Sequence, residues 1–385
     1  MEPPKMHLEH LWLTNFRSYA EAEFAPAPLG ITVVAGANGE GKTNLIEAVG
    51  YLATLRSMRG SPSEAMVRDG SGTGVAVVRC DGRRDGRRVL IEAELHATGR
   101  DRVQVGGQLL RRSRDLLGAL QVTVFSPDDL ALVKGGPQSR REYLDDLLVA
   151  LHPRHDATIS EVEKVLKQRN ALLKSAYSSH GWSAGRAATG SSRQVPEDVV
   201  VTLDVWDAKL AAAGEDLVSA RESLTDALEP GAADTYRRLA VGVSHRGRDA
   251  VSLAYRRSWD GALLDALHES RFEDLRRGVT SVGPHRDELD VTVGGLPART
   301  HCSQGEQRSL ALTLRLAGHQ LVTDRIGSPP ILLLDDVFSE LDHVRSEALL
   351  TCLPFGQALV TTAGDLPGGA DVQARFRVED GKLLS

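Results

Sequence analysis

The sequence predicts an α/β fold, a mixed sheet with helices, into which a mainly helical second lobe is inserted. Three observations predict it. The β-prone run Ile31–Val34 leads into a glycine-rich turn and a helical pattern at Asn44–Ala48. A second apolar run, Ile331–Leu334, ends in two acids, Asp335 and Asp336. Between the two, from Gly136 onward, leucines at helical spacing replace the strand pattern.

Taken in order, His7–Phe16 alternates apolar and polar residues and reads as a strand, with Ala20–Phe24 as its hairpin partner. Gly74–Val105 is β-rich, with strands at Val75–Val78 and Val89–Ile91 and turns at Asp81-Gly82 and Asp85-Gly86. Leu120–Phe125 is a further strand, and Ser126-Pro127-Asp128-Asp129 reads as a helix cap and first turn. Leu144, Leu147, Leu148 and Leu151 then recur at helical spacing, as do Ile159, Val162, Val165 and Leu166, with a break at His152-Pro153. A later helical run carries Leu203, Trp206, Leu210, Leu217, Leu224 and Leu228, ends at Glu229-Pro230-Gly231, and returns to strand character over Leu239–Tyr255. The two runs suggest a helical hairpin joined by a Ser/Gly/Ala-rich linker, Ser178–Ser192, and too short for a long coiled-coil arm. Leu289–Val293, Gln304–Gln320, Ile331–Leu334 and Ala358–Thr361 restore the alternation of strand and helix. The expected division is 1–134 and 279–385 in one lobe, with 135–278 inserted.

At 385 residues the chain can bury a sizeable core. Its net charge of −6 excludes a general polycation, so any nucleic-acid contact rests on a local patch. Cys80, Cys302 and Cys352 form no C-x-x-C pair, which argues against a disulfide framework or zinc site and suits a reducing cytosol. No leader-like segment opens the chain, and no apolar stretch of about 18 residues occurs, so a cytoplasmic protein without a membrane partner is expected.

Gly36, Gly41, Lys42 and Thr43 fit G-x-x-x-x-G-K-[ST], the phosphate-binding loop. Its glycines let backbone N–H groups turn inward, and the helix behind it favours negative charge. Gly36, Asn38, Gly39, Gly41, Lys42, Thr43 and Asn44 are therefore the expected contacts of a nucleoside triphosphate. Lys42 would reach the β/γ-phosphates, and the Thr43 hydroxyl would hold Mg²⁺. Asp335, at the end of an apolar strand, would hold the same ion directly or through water. Asp336 stands where a carboxylate could accept a proton from the attacking water. Because both strand ends would serve one metal, the Ile31 and Ile331 strands should share a sheet. Ser303-Gln304-Gly305-Glu306-Gln307 precedes a long apolar-periodic helix and is either an anion site or a plain helix cap.

In order, these segments and Ser339-Glu340-Leu341-Asp342 resemble the Walker A, signature, Walker B and D-loop motifs of ABC-type ATPases. More narrowly, the chain resembles the RecF family of bacterial DNA replication and repair proteins, within the SMC/Rad50-like group. The residues that carry this are Leu13–Tyr19, Gly36–Glu47, Phe125–Leu130, Gly136-Pro137 with Arg140-Arg141, Gly283–Asp287 and Ser303–Arg308. The resemblance implies an ABC-type P-loop ATPase head with an inserted helical lobe, acting as an ATP-dependent homodimer. Ser303 and Gly305 of one subunit would contact the γ-phosphate held by the other, giving Lys42, Ser303 and Asp336 the catalytic roles. It also implies weak DNA-dependent ATP hydrolysis used as a switch, partners RecR and RecO, duplex or gapped DNA bound without sequence preference, and a cytoplasmic, nucleoid-associated protein. The chain departs from transporter ATPases in having Asp336 in place of Glu, and Thr361-Thr362 with no switch His. Both departures suit a slow ATPase.

A transporter subunit would need that His and a coupling surface; a long-armed bridging protein would need a longer arm. A small-molecule kinase has no use for the signature motif. His285-Arg286-Asp287 mimics a kinase loop, but Thr292 stands where that loop needs Asn. His152 and His155 lack a third metal ligand. Arg56 and Arg59 either reach the γ-phosphate or are ordinary surface arginines. Between Arg79 and Arg114 there are ten Arg, no Lys and five acids, a run that is either a solvated face or a contact to duplex phosphates.

Overall fold

The structure, a computed structural model, describes residues 4–179, 196–240 and 250–384. β1 (Met6–Phe16) and β2 (Tyr19–Phe24) form a hairpin, and β3 (Gly30–Ala35) runs into α1 (Lys42–Thr54). β4 (Val75–Arg84), β5 (Arg87–His96), β6 (Arg102–Val105) and β7 (Gln108–Leu109) follow as an antiparallel meander. β8 (Val122–Phe125) and the short α2 (Ala131–Lys134) lead to α3 (Pro137–Leu151), α4 (His155–Ser179) and α5 (Glu197–Leu239). β9 (Val251–Arg256), α6 (Leu263–Arg277), β10 (Glu288–Val293), β11 (Leu296–Pro297) and α7 (Ala298–His301) come next. α8 (Gln304–Ile326), β12 (Ile331–Asp335), α9 (His343–Cys352), β13 (Gln357–Thr362) and the hairpin β14 (Val372–Glu379)/β15 (Lys382–Leu384) follow. Most of the linker expected at Ser178–Ser192, and residues 241–249 of the expected strand region, lie outside the described residues.

The chain divides into two units. The first holds the described residues of 1–134, 228–252 and 292–385; the second holds those of 135–227 and 253–291. The expected insertion, 135–278, does not coincide with the second unit. Residues 228–252 go to the first and 279–291 to the second.

Alternation along the strands decides the layering of the first unit. Its central sheet has the order β15-β14-β3-β13-β12-β8, so the Ile31 and Ile331 strands share a sheet with β13 between them. Val34, Ile331, Leu333 and Leu359 point to one face and join a core with Leu45, Ile46, Val49 and Leu52 of α1. Val33, Leu332, Leu334, Ala358 and Val360 point to the other face, against Leu312 and Leu316 of α8 and Leu349 of α9. The second sheet, β2-β1-β4-β5-β6-β7, covers α1 from outside through Leu11, Leu13, Val78, Ile91 and Ala93.

Two turn expectations are corrected. Asp81-Gly82 lies within β4, because the β4–β5 register continues through Asp81↔Leu90 and Gly82↔Val89 to Arg84↔Arg87. Only Asp85-Gly86 turns, with φ of 50° and 76°, the paired positive values of a type I′ turn. Asp81 is buried and bonded to Arg88, while a Cβ on Gly82 would lie 2.7 Å from the His7 carbonyl. The helix expected to stop at Pro230 continues to Leu239. An internal proline costs about 3 kcal/mol. Ala232, Tyr236 and Leu239 continue the buried stripe of Leu228 beyond it, and each fully buried large apolar side chain recovers roughly 1.5–3 kcal/mol.

In the second unit, α6 carried no expectation. Its inward face includes Asp274, whose carboxylate interrupts the apolar stripe of Leu263, Leu267 and Leu275. That carboxylate accepts from Arg169, a fully buried residue of α4 that also bonds Asp207 of α5 and Thr280. Buried charge is stable here because it is paired and hydrogen-bonded. α4 packs on α6 and α3, so the expected two-helix hairpin is a larger, ion-paired cluster of helices.

Candidate nucleotide site

Parallel register places the site at the C-terminal ends of β3, β13 and β12. Asp335 pairs with Thr361, and Thr361 with Val34, so the acid-tipped strand and the loop after β3 end at the same edge. Thr43 Oγ1 donates to Asp335 Oδ1 at 2.8 Å, and Thr361 Oγ1 donates to the same oxygen at 2.7 Å. Thr361 Oγ1 also accepts from the Asp336 backbone N–H at 2.9 Å. The residue noted in the sequence only as a missing His thus anchors both acids. Burial pushes the Asp335 carboxyl above its ordinary range, the two threonine hydroxyls oppose that shift, and Arg59 and Asp336 act on it in opposite directions. Arg59 is exposed, near enough for its charge to be felt at Asp335.

Lys42 is buried, and its Nζ donates to the carbonyls of Gly36 at 2.9 Å and Ala37 at 2.8 Å. Two loop positions require glycine. Gly41 has φ +114° and would place a Cβ 2.5 Å from Ser18 Oγ; a Cβ on Gly36 would meet the Val378 carbonyl at 2.6 Å. The β14–β15 hairpin therefore closes directly on the loop, and its Asp380 N–H donates to Glu40 Oε2. Asp336 has φ 52° and caps a short 3₁₀ turn, where Ser339 Oγ donates to its carboxylate.

The run Asn15–Tyr19 braces the loop from the β1–β2 hairpin. Tyr19 OH donates to the Gly41 carbonyl at 3.0 Å, and Asn44 Nδ2 donates to Ser18 Oγ at 3.0 Å. Arg17 forms a bidentate pair with Glu47, both bonds 2.9 Å, and the Glu47 carboxylate is fully buried under α1. Only the resemblance had singled out these residues; no local pattern shows that Glu47 faces inward.

Ser303 caps α8 in a capping box: its Oγ accepts from Glu306 N–H, and Glu306 Oε2 accepts from Ser303 N–H at 2.7 Å. Gly305 lies beneath the Arg345 guanidinium. Among the described residues, the capping-box bonds of Ser303 go to Glu306, and neither Ser303 nor Gly305 bonds to the phosphate-binding loop. Arg308 donates to the Glu340 carbonyl, and Arg315 pairs with Asp129, tying the signature helix to the neighbouring loops.

The arginine run lies on the outer sheet and the segment after it. Arg79, Arg83, Arg84 and Arg88 are engaged by Glu92, Glu9, Asp85 and Asp81. Arg87, Arg100, Arg102, Arg111, Arg112 and Arg114 are exposed, and among the described residues they enter no ion pair. No helix of the described residues is long and apolar enough to cross a membrane.

A parallel sheet edge joining a phosphate-binding loop to an acid-tipped strand, followed by the hydrogen-bonded Ser339 turn and preceded by a capped signature helix, defines the head of an ABC-type P-loop ATPase. A family profile described as RecF/RecN/SMC N terminal domain matches residues 7–363. The chain belongs to the RecF family: it is 42% identical to the DNA replication and repair protein RecF of Streptomyces avermitilis, over 98% of this chain and 99% of that protein. It is 43% identical to the RecF protein of Frankia alni, with 98% and 99% covered. Among solved structures, the recombination mediator protein RecF-ATP in the RecFOR pathway superposes with a TM-score of 0.83 at 27% identity, covering 100% of this chain and 98% of that one. An Smc head domain from Pyrococcus furiosus, at TM-score 0.56 and 16% identity, shares the fold.

Proposed function

We propose that this protein is an ATP-dependent DNA-binding protein of recombinational gap repair and replication restart. ATP drives homodimerisation on duplex DNA or gap junctions, slow hydrolysis resets the switch, and the dimer helps RecR and RecO load recombinase. The observation that carries this reading is the meeting of Thr43 and Asp335 at the sheet edge, while among the described residues Ser303 and Gly305 make no bond to that loop. A nucleotide seated on the loop leaves the signature helix free to meet a second subunit's nucleotide.

The residues present fit Mg²⁺. Thr43 Oγ1 and Asp335 Oδ1 are hard oxygen donors within hydrogen-bonding distance of each other, and Thr361 orients the carboxylate. When bound, the ion neutralises charge between the β- and γ-phosphates. Lys42 exchanges its two carbonyl partners for phosphate oxygens, and the loop N–H groups hold the rest of the chain of phosphates. Asp336 orients a water and takes its proton, released from Ser339. The exposed arginines of the outer sheet contact DNA phosphates without reading bases; aromatics are 4% of the chain, so base stacking is a minor term. The protein is placed in the cytoplasm, with the nucleoid.

The test is the molecular mass in solution with ATP, with ADP, and of Ser303→Arg with ATP, each with and without gapped duplex DNA. A dimer with ATP alone, lost in the variant and reinforced by DNA, is the expected result. A monomer under every condition overturns the switch and leaves the signature motif a helix cap.

A further inference from the structure

Gly305 carries more than a backbone approach. A Cβ there would lie 2.6, 2.7 and 2.8 Å from Arg345 Nη2, Nη1 and Cζ, so the guanidinium rests on the glycine. One residue positions it. Asp342 caps α9 through the Arg345 N–H at 2.9 Å and accepts from Arg345 Nη1 at 2.6 Å. The D-loop acid thus fastens a cation to the signature helix.

That placement sets charge against charge. The N-terminus of α8 is the positive end of a 23-residue helix, where an anion is favoured and a guanidinium is not. Asp342 offsets this incompletely, since its side chain is 50% exposed. Arg345 Nε is buried and has no hydrogen-bond partner among the described residues, and the bond to Asp342 uses Nη1, not Nη2. Buried donors are normally paired, so an open one leaves hydrogen-bonding capacity for a ligand. The Nε and Nη2 edge of the planar fork matches two oxygens of a phosphate.

We propose that Arg345 is a γ-phosphate ligand acting in trans: parked on Gly305 by Asp342, it pairs with the terminal phosphate that the opposite subunit presents to Ser303 and Gly305. The inference rests on the proposed dimer and adds to it a cation that distinguishes ATP from ADP. The γ-phosphate adds an anion to those already there, Glu306 in the first turn of α8 and the half-exposed Asp342 on the guanidinium. Glycine is needed at 305 because any side chain would lift the guanidinium away.

The test compares wild type, Arg345→Gln, Arg345→Lys and Ser303→Arg in three measurements: ATP binding by dilute monomer, thermal midpoint with ADP, and the dimer dissociation constant with saturating ATP. Arg345→Gln is expected to bind ATP as the wild-type monomer does, keep the ADP midpoint, and weaken the ATP dimer at least tenfold. Arg345→Lys should recover part of that loss. If Arg345→Gln dimerises as wild type while Ser303→Arg does not, Arg345 is no ligand and the dimer reading survives. If Ser303→Arg also dimerises normally, the signature reading falls and this inference with it. Should Arg345→Gln melt early, Arg345→Lys decides: a folded Lys variant with a dimer no tighter than that of Gln overturns the proposal.

Discussion

Thr43 and Asp335 stand 292 positions apart in the chain, yet their oxygens are 2.8 Å apart. Parallel register of β3, β13 and β12 brings the two strand ends to one edge, and the loop after β3 delivers Thr43 to Asp335. Thr43→Ala and Asp335→Asn should therefore lose the gain in ATP affinity that Mg²⁺ gives the wild type. Titration with ATP in Mg²⁺ and in EDTA checks this; an undiminished Mg²⁺ effect in either variant removes that residue from the metal site.

Lys42 and Asp336 should separate binding from turnover. Lys42→Ala is expected to abolish ATP binding, because the charge at the heart of the loop is gone. Asp336→Asn should keep ATP affinity and lower phosphate release by about 10²-fold or more, the scale of a lost general base. Unchanged turnover in Asp336→Asn would show that another group takes the proton.

Arg17 offsets the fully buried carboxylate of Glu47. Arg17→Ala leaves that charge with Ser57 as its remaining side-chain partner, and should cost about 3–5 kcal/mol of stability, the range for breaking a buried pair. Chemical denaturation measures it. Arg17→Met with Glu47→Leu should regain most of the loss, since no charge then remains unpaired.

His319 and His285 are held neutral, with burial pulling each imidazole down to about 4. An unfolded imidazole titrates near 6.5, so between these values the unfolded chain binds more protons and stability rises with pH. The contribution is complete above pH 6.5 and is lost as pH falls toward 4. Each His is worth roughly 3 kcal/mol over that window. Asp287 and Asp335, both raised by burial, act oppositely just above the ordinary carboxylate range. Thermal midpoints between pH 7.5 and 5 should fall, and fall less in His319→Gln, where the Thr123 contact is made by an uncharged amide.

DNA affinity should drop with salt, and Arg87, Arg102 and Arg112, each exposed and outside any ion pair among the described residues, are the arginines to change. Replacing a phosphate-contacting arginine by Ser reduces the slope of log affinity against log salt by about 0.9. Equal slopes in the triple variant and wild type would assign the patch to solvent. Arg88→Ser should change the slope less, because Asp81 already holds that side chain.

Motifs whose chemistry is local were legible in the sequence. The phosphate-binding loop, the capping box of Ser303 and Glu306, the Ser126 cap and the turn at Asp85-Gly86 each depend on residues within a few positions of one another. The short apolar runs of β3, β12 and β13 were likewise sufficient to predict buried strands in a sheet with helices. Asp81-Gly82 and Pro230 misled because each is a local signal outweighed by distant partners. Arg88 and the bulged β1 keep the first in a strand, and a continuing buried stripe carries the helix through the second.

By itself, then, the sequence determined which chemistry the chain carries: a nucleotide loop, an acid-tipped strand, a signature helix and an arginine run. Tertiary structure alone decided which of these meet. Thr361 bonds both Walker B acids, Glu47 is buried under Arg17, Asp274 turns inward to Arg169, and Arg345 lies on Gly305. The physical reason is that local propensity acts over one turn of chain, whereas burial of charge and convergence of donors depend on residues tens to hundreds of positions away. Only a packed fold brings those into reach.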